Sequence, residues 1–268
     1  MIKQVSVIGC GWLGFPLGIA LVNKGITVKG STTSNEKLKR LRSNNIFPFA
    51  IKLTEDRILG DINSFLEHSD LLIINVPPGL RKHPNKNHIA EISQLIESII
   101  KNQIQKVIYI GSTSVFKDES NIPIIGSNFK PNNYEIAKQL IEIENLLMSN
   151  SYFKTTIIRF GGLIDENRHP GNFLSGRSGV KNPKAPINLI HKEDCIDIIA
   201  QIIEKQIFDT VINAVYPAHP TRKSYYTSYS KDNNLPPPKF ENTATSKGKI
   251  VESEKLVQLL SYKFKHAL

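Results

Sequence analysis

Two periods of apolar positions alternate along the first 160 residues. Residues 2–8 read as a first strand, and Leu13, Leu17, Ala20 and Leu21 then recur at helical spacing until Asn23-Lys24-Gly25 supplies a stop. A second strand at 26–29 follows. Thr33, with Glu36 three residues on, is a capping-box pattern opening a helix toward Arg42. A third strand falls at 47–53. The run at 70–76 is apolar almost throughout, as in a strand buried on both faces, and ends at Pro77-Pro78-Gly79. Ile89, Ile92, Leu95, Ile96, Ile99 and Ile100 form one helical stripe. A fifth strand at 106–111, a helix at 134–148 and a sixth strand at 155–160 complete an α/β pattern, which predicts a parallel sheet covered by helices.

Beyond 160 the texture changes to loops rich in Gly, Pro, Asn and His, with a helix near 193–205, a short strand at 210–216, an extended Pro236-Pro237-Pro238 and a last helix at 253–260. We therefore expect a nucleotide-binding domain over 1–160 and a smaller substrate lobe over 161–268, partly interleaved with the sheet.

Composition narrows the classes. At 268 residues, 40% hydrophobic and 22% charged, the chain has ordinary globular usage, which excludes a wholly disordered, collagen-like or coiled-coil protein. The two cysteines, Cys10 and Cys195, give neither a disulfide framework nor metal-ligand spacing; a reducing, cytoplasmic setting without metal is the simplest reading. The net charge of +10 favours anionic partners. Its basic residues are spread from Lys3 to Lys265 without a tract or a nucleic-acid motif, so a small anionic or sugar-like substrate is expected and nucleic acid is not. The apolar stretch at 5–22 carries Gly9, Gly11, Gly14, Gly18 and Pro16, which suit a strand-turn-helix and not a membrane span.

That stretch contains Gly9-Cys10-Gly11-Trp12-Leu13-Gly14, a G-x-G-x-x-G between the first strand and the first helix. In a Rossmann-type doubly wound sheet such a loop turns tightly at the first glycine, admits a pyrophosphate at the second and packs helix on sheet at the third. The helix end then offers N–H groups to the phosphates. The second strand is followed by Ser31, Thr32, Thr33 and Ser34, with no acid to take the adenosine ribose. With Lys37 and Arg40 these hydroxyls suit a 2′-phosphate, favouring NADP over NAD; the other reading is that they only cap the helix. Val76 and Pro77, at the end of the fourth strand, complete the cofactor-facing set.

Tyr134 and Lys138 lie four apart, on one face of the expected helix, and Ser112 and Ser114 follow the fifth strand at the carboxyl edge of the sheet, where ligands of such folds bind. A phenol of ordinary pKa near 10 needs a nearby cation to exchange protons near neutrality. Together with Ile158-Arg159-Phe160-Gly161-Gly162-Leu163 and His191-Lys192-Glu193-Asp194, these motifs resemble the short-chain dehydrogenase/reductase superfamily, in particular its extended and atypical members related to nucleotide-sugar epimerases and dehydratases. The resemblance covers nearly the whole chain. It implies Tyr134 as general acid/base, Lys138 lowering the phenol's pKa and holding the nicotinamide ribose, and Ser112 bonding the reacting oxygen. It also implies a homodimer through the helix that carries the 89–100 stripe and the 134–148 helix.

Three departures stand out: the G-x-G-x-x-G spacing instead of G-x-x-G-x-x-G, the strand end Asn75-Val76-Pro77-Pro78, and no match at Ile89 to Ser93 for the family's helix asparagine. They keep a non-catalytic NAD(P)-binding sensor or scaffold open beside the enzyme, and a hydroxyacid or imine reductase as a third reading. Arg168, His169, Asn172 and Arg177 surround a Gly-containing segment and could grip an anionic substrate or be solvated loop residues. His191 and Asp194 are expected to organise a helix start, and His219 a turn.

Overall fold

The computed structural model describes residues 2–80, 82–126, 129–131, 134–242 and 245–268. Seven strands form the main sheet: β1 (Gln4–Ile8), β2 (Thr27–Thr32), β3 (Ile46–Ala50), β4 (Leu71–Ile74), β5 (Lys106–Ser112), β6 (Lys154–Phe160) and β7 (Thr210–Ala214). Their order across the sheet is β7-β6-β5-β4-β1-β2-β3. The pairings of β3 with β2, β2 with β1, β1 with β4 and β4 with β5 are parallel. The order reverses at β1, which places a crevice at the carboxyl ends of β1 and β4, the switch point of a doubly wound Rossmann-type sheet.

The helices are α1 (Gly14–Asn23), α2 (Asn35–Arg42), α3 (Ile62–Leu66), α4 (His88–Lys101), α5 (Lys138–Met148), α6 (Pro170–Leu174), α7 (Lys192–Glu204), α8 (Arg222–Asp232) and α9 (Glu254–Leu260). The chain folds as two compact units that interleave in sequence. The first is Met1–Gly111, Glu135–Ile158 and Ile196–Val211; the second is Ser112–Tyr134, Arg159–Cys195 and Ile212–Leu268. No single cut at residue 160 separates them.

All four residues of β4 are fully buried, as its unbroken apolar run requires. In the first unit Leu72 and Ile74 pack with Phe65, Leu66, Val107 and Tyr109, and α4 contributes Ile92, Leu95 and Ile99. Asn87 caps α4 by accepting from the Ala90 N–H at 3.0 Å. The second unit has its own small core of Ile164, Ile187, Leu189 and Tyr226. Two short parallel pairs belong to it, Gly162–Ile164 with Leu189–His191 and Ile250–Val251 with Ile124–Ile125.

Several local expectations are corrected. β2 runs on to Thr32, so Ser31 and Thr32 are buried strand residues and not a loop. α2 opens one residue late, on Ser34, which makes no side-chain capping bond; its N–H donates to the Thr32 hydroxyl at 3.2 Å. The expected strand at 47–53 breaks at Ile51, and Lys52–Leu53 pairs antiparallel with Ile58–Leu59. α8 falls in the stretch expected to be loop; its sequence RKSYYTSYSKD has no aliphatic stripe, and a buried Tyr226 and Ser230 supply its inner face. Among the described residues no helix is long and apolar enough to cross a membrane.

Leu72→Ala in β4 is expected to cost about 2–5 kcal/mol, since a fully buried leucine leaves a cavity when truncated. Urea denaturation followed by far-UV circular dichroism checks it; an unshifted midpoint would show that the packing around β4 is not what holds the first unit.

Candidate functional site

The glycine loop in the first unit is fixed from both neighbouring strands. Gly9 has φ +97°, and a Cβ there would lie 2.4 Å from the Asn75 carbonyl oxygen, so only glycine fits the turn. Its N–H donates to the Ser31 hydroxyl at 3.0 Å, and its carbonyl accepts from the Asn75 side-chain amide at 2.8 Å. Cys10 N–H donates to the Ser31 carbonyl at 2.8 Å. A Cβ on Gly14 would come within 2.3 Å of the Gly9 carbonyl oxygen, which explains how closely α1 approaches the loop. Gly11 differs: a Cβ there meets nothing within 4 Å. Its bareness answers no demand of the fold and suits a group lying against the backbone.

α1 begins after Leu13, which offers no side-chain cap. Pro16 sits in the first turn, where its missing N–H is not needed. The Phe15 N–H donates to the Gly11 carbonyl at 3.1 Å, so the helix start is tied to the loop, with the positive end of the helix dipole behind it as a pyrophosphate requires. A turn only glycine can make, an open face at Gly11 and a helix end without a side-chain cap together fit a dinucleotide.

Around this cradle the expected residues divide. Trp12 is half-buried, Leu13 buried, Val76 half-buried and Pro77 exposed. Ser31 is 2% exposed and holds the loop through Gly9, so its hydroxyl acts on the loop's shape and not on a 2′-phosphate; Thr33 is exposed and Ser34 half-buried. The Arg40 guanidinium lies 4.1 Å from the Phe15 ring centre. Burial pushes the Cys10 thiol up to about 12, which leaves it unreactive. Asn75 was missed as a site residue, although a polar residue closing an apolar strand is a legible signal.

In the second unit Ser112, Ser114 and Tyr134 come together. The Ser112 hydroxyl accepts from the Ser114 N–H at 3.1 Å and from the Ser114 hydroxyl at 2.8 Å. The Tyr134 hydroxyl donates to the Ser114 carbonyl through a short bond and faces the Phe116 carbonyl at 3.4 Å. Tyr134 precedes a 3-10 turn at Glu135–Ala137, and the α-helix starts only at Lys138, in the first unit. The bonds to the 114 and 116 carbonyls hold Tyr134 outside the expected helix. Burial, then the Asp118 carboxylate, push its phenol above the ordinary value, opposite to the lowering expected of a cation partner.

His169 is corrected as a substrate residue. It is buried, its Nδ1 accepts from the Gly171 N–H at 3.1 Å, and so its Nε2–H donates to the Tyr225 hydroxyl at 2.8 Å. Its ring stacks 3.6 Å from that of Tyr229, whose hydroxyl donates to Asn172 Oδ1 at 2.9 Å. Burial lowers the imidazole to about 4. Arg168 and Arg177 are exposed. His191 Nδ1 accepts from the Glu193 N–H at 3.2 Å, closing the turn into α7, and His219 donates to the Ile187 carbonyl at 3.0 Å. Asp194 does more than start a helix. Fully buried, it accepts from the Tyr262 hydroxyl at 2.7 Å and from the Lys265 and His266 N–H groups, anchoring the C-terminal segment.

A cleft of about 580 Å³ in the first unit is lined by Lys52, Glu55, Lys82, His83, Lys86 and Glu91 among others, and none of the expected site residues lines it. Among the described residues no group of His, Cys, Asp and Glu could hold a metal ion.

No family model matches the sequence. Protein YeeZ of Escherichia coli (strain K12) is 27% identical to this chain over 269 residues, which span 98% of this chain and 96% of that protein. Among solved structures, MoeE5 in complex with UDP-glucose and NAD is similar with a TM-score of 0.77 and 13% identity, over 99% of this chain and 95% of its own. UDP-N-acetylglucosamine 4-epimerase from Bacillus cereus is similar with a TM-score of 0.77 and 15% identity, over 99% and 92%. A structure described as a short-chain dehydrogenase/reductase superfamily protein, with bound NAD, is similar with a TM-score of 0.74. The chain thus shares the Rossmann-type fold of these structures, the fold its motifs lead one to expect.

Gly11→Ala is expected to leave the thermal midpoint unchanged while weakening NAD(P) binding at least about tenfold, or about 1.4 kcal/mol. Gly14→Ala should lower the midpoint itself, because its methyl group meets the Gly9 carbonyl. Calorimetric titration with differential scanning fluorimetry separates the two; full affinity in Gly11→Ala would remove the cradle from consideration.

The pH dependence of the second unit follows from His169. Neutral when folded, with its pKa lowered from the ordinary 6.5 to about 4, it contributes stability that is complete above about pH 6.5. That contribution is lost as the pH falls toward 4. Urea midpoints measured between pH 7 and 4 should decline less steeply in His169→Gln than in the parent, and equal slopes would contradict the assignment.

Proposed function

We propose that the chain is an NAD(P)-dependent oxidoreductase or epimerase/dehydratase acting on a carbonyl or secondary alcohol of a sugar-like, nucleotide-linked substrate. The observation that carries this reading is the convergence of Ser112, Ser114 and Tyr134 on one short segment of the second unit. The glycine cradle of the first unit, and the NAD and UDP-sugar named for similar folds, support it.

In this reading the 9–14 loop and the start of α1 hold the pyrophosphate, flanked by Trp12, Leu13, Val76 and Pro77. Thr32, Thr33 and Ser34, with Lys37 and Arg40, face the adenosine end, where their hydroxyls and cations favour NADP over NAD. When bound, the nicotinamide supplies hydride transfer, and the protein positions substrate and manages the proton. Ser112 accepts two hydrogen bonds from Ser114, which leaves its own proton to donate to the reacting oxygen. Tyr134 gives or takes the proton at that oxygen. Lys138 holds the nicotinamide ribose and lowers the phenol's proton affinity once the cofactor is in place. Arg168 and Arg177, with the exposed Asn172 amide, serve the anionic end of the substrate. A cytoplasmic homodimer joined through the half-buried Ile89, Ile96 and Ile100 of α4 belongs to the same proposal.

One observation favours a second reading, a dinucleotide-binding sensor without turnover: the Tyr134 hydroxyl is tied to a backbone carbonyl, and its proton is held more tightly than usual.

Incubation with NAD(P) and a panel of UDP-sugars, with products resolved by chromatography, separates the two readings. Tyr134→Phe should reduce turnover by about 100- to 10,000-fold, the usual worth of a positioned acid/base, at nearly unchanged cofactor affinity. Normal turnover in that variant contradicts the mechanism, and tight cofactor binding without any product supports the sensor.

A further inference from the structure

We propose that Lys249 is a positioning residue for the Tyr134 hydroxyl, acting through the Phe116 carbonyl and the Asp118 carboxylate. The inference rests on Tyr134 being the acid/base group of the site, but the geometry behind it is independent of that reading. Lys249 is 9% exposed, an unusual place for an ammonium group. Its Nζ donates to the Phe116 carbonyl at 2.8 Å and to Asp118 Oδ1 at 2.8 Å. The Phe116 carbonyl is one of the two that the Tyr134 hydroxyl faces. A buried cation and the phenol therefore meet on one oxygen.

The backbone shows that Lys249 is delivered to this place by construction. Gly248 and Glu119 exchange N–H···O=C bonds at 2.9 and 3.0 Å. Ile250 N–H donates to the Pro123 carbonyl, and Ile250–Val251 pairs in parallel with Ile124–Ile125. The Asn188 side chain clasps the same strand, donating to the Lys249 carbonyl and accepting from the Val251 N–H, both at 2.8 Å. A strand from late in the chain thus braces the segment that follows β5 and inserts one side chain into it.

The electrostatic consequence has a definite sign. Asp118 raises the proton affinity of the phenol. Lys249 stands against Asp118 and offsets that charge, while its bond to the Phe116 carbonyl fixes where the phenol rests. Among the described residues, Lys117 and Glu119 flank Asp118 in sequence, the Arg159 guanidinium lies 5.1 Å from the Phe116 ring centre, and Lys255 feels the charge of Arg159; Lys138 follows Tyr134 by four residues in the chain, in the first unit. Removing Lys249 leaves Asp118 uncompensated and the carbonyl free, so the phenol should hold its proton more tightly. Removing the Asp118 charge should do the reverse.

Ionisation of Tyr134 can be read without any turnover. The full chain is labelled with 3-fluorotyrosine, which brings phenol titrations down into a range the fold withstands, and the Tyr134 resonance is assigned by its loss in Tyr134→Phe. Lys249→Met is expected to raise its midpoint by on the order of one pH unit, Asp118→Asn to lower it, and Lys249→Arg to restore it. An unchanged or lowered midpoint in Lys249→Met overturns the proposal. Should Lys249→Met fail to fold, Asp118→Asn decides: exposed at the surface, it keeps the fold, and an unmoved midpoint there removes the coupling through which Lys249 acts. Failure of the enzyme reading would look different, as normal turnover in Tyr134→Phe beside an intact titration shift.

Discussion

The first unit depends on how a two-peptide turn at Gly9 is held between two parallel strands. Its N–H is taken by a hydroxyl from β2 and its carbonyl by an amide from the end of β4. These bonds pair the Gly9 N–H and give its carbonyl a second donor beside the Gly11 N–H, which reaches it at 2.8 Å. They also pin the loop at the point where the strand order reverses, so the start of α1 faces the crevice at the carboxyl edge. The buried run of β4 matters for the same reason, because it carries Asn75 to that edge.

A comparable arrangement governs the second unit. The segment after β5 presents successive carbonyls, and two side chains from distant parts of the chain bind them: Tyr134 at Ser114 and Phe116, and Lys249 at Phe116. In each unit polar side chains from elsewhere in the chain bond the backbone of a loop at the carboxyl end of a strand. The Ser112 hydroxyl is itself held in place as the acceptor of the Ser114 N–H and hydroxyl.

Much of this was legible in the order of residues. Six strands of the sheet and most helices between them, though not α3, follow from the sequence pattern, because burial on both faces of a parallel sheet leaves little other choice for runs such as 71–74. The glycine loop was legible for the same reason, its spacing being read against a strand before it and a helix after it. What stayed hidden depends on long-range partners. Ser31 looked like one of four equivalent hydroxyls until Gly9 claimed it. Tyr134 looked helical until the 114 and 116 carbonyls held it outside α5. His169 looked like a substrate group, yet a ring stacked on Tyr229 and bonded at both nitrogens has no capacity left. Lys249 carried no local signal, since its partners lie more than 130 positions away. α8 was missed because tyrosine and serine, not leucine, face the interior.

The central claim is that the glycine loop of the first unit receives a dinucleotide, and the chain carries its own reporter, since its single tryptophan is Trp12 in that loop. Titration of the native protein with NADPH, NADH and their oxidised forms, following tryptophan emission, is the direct test. The account predicts a saturable change with the dinucleotides, strongest for the NADP pair, and only a weak response to nicotinamide riboside, which has no pyrophosphate. No change in emission together with no binding by equilibrium dialysis would contradict it.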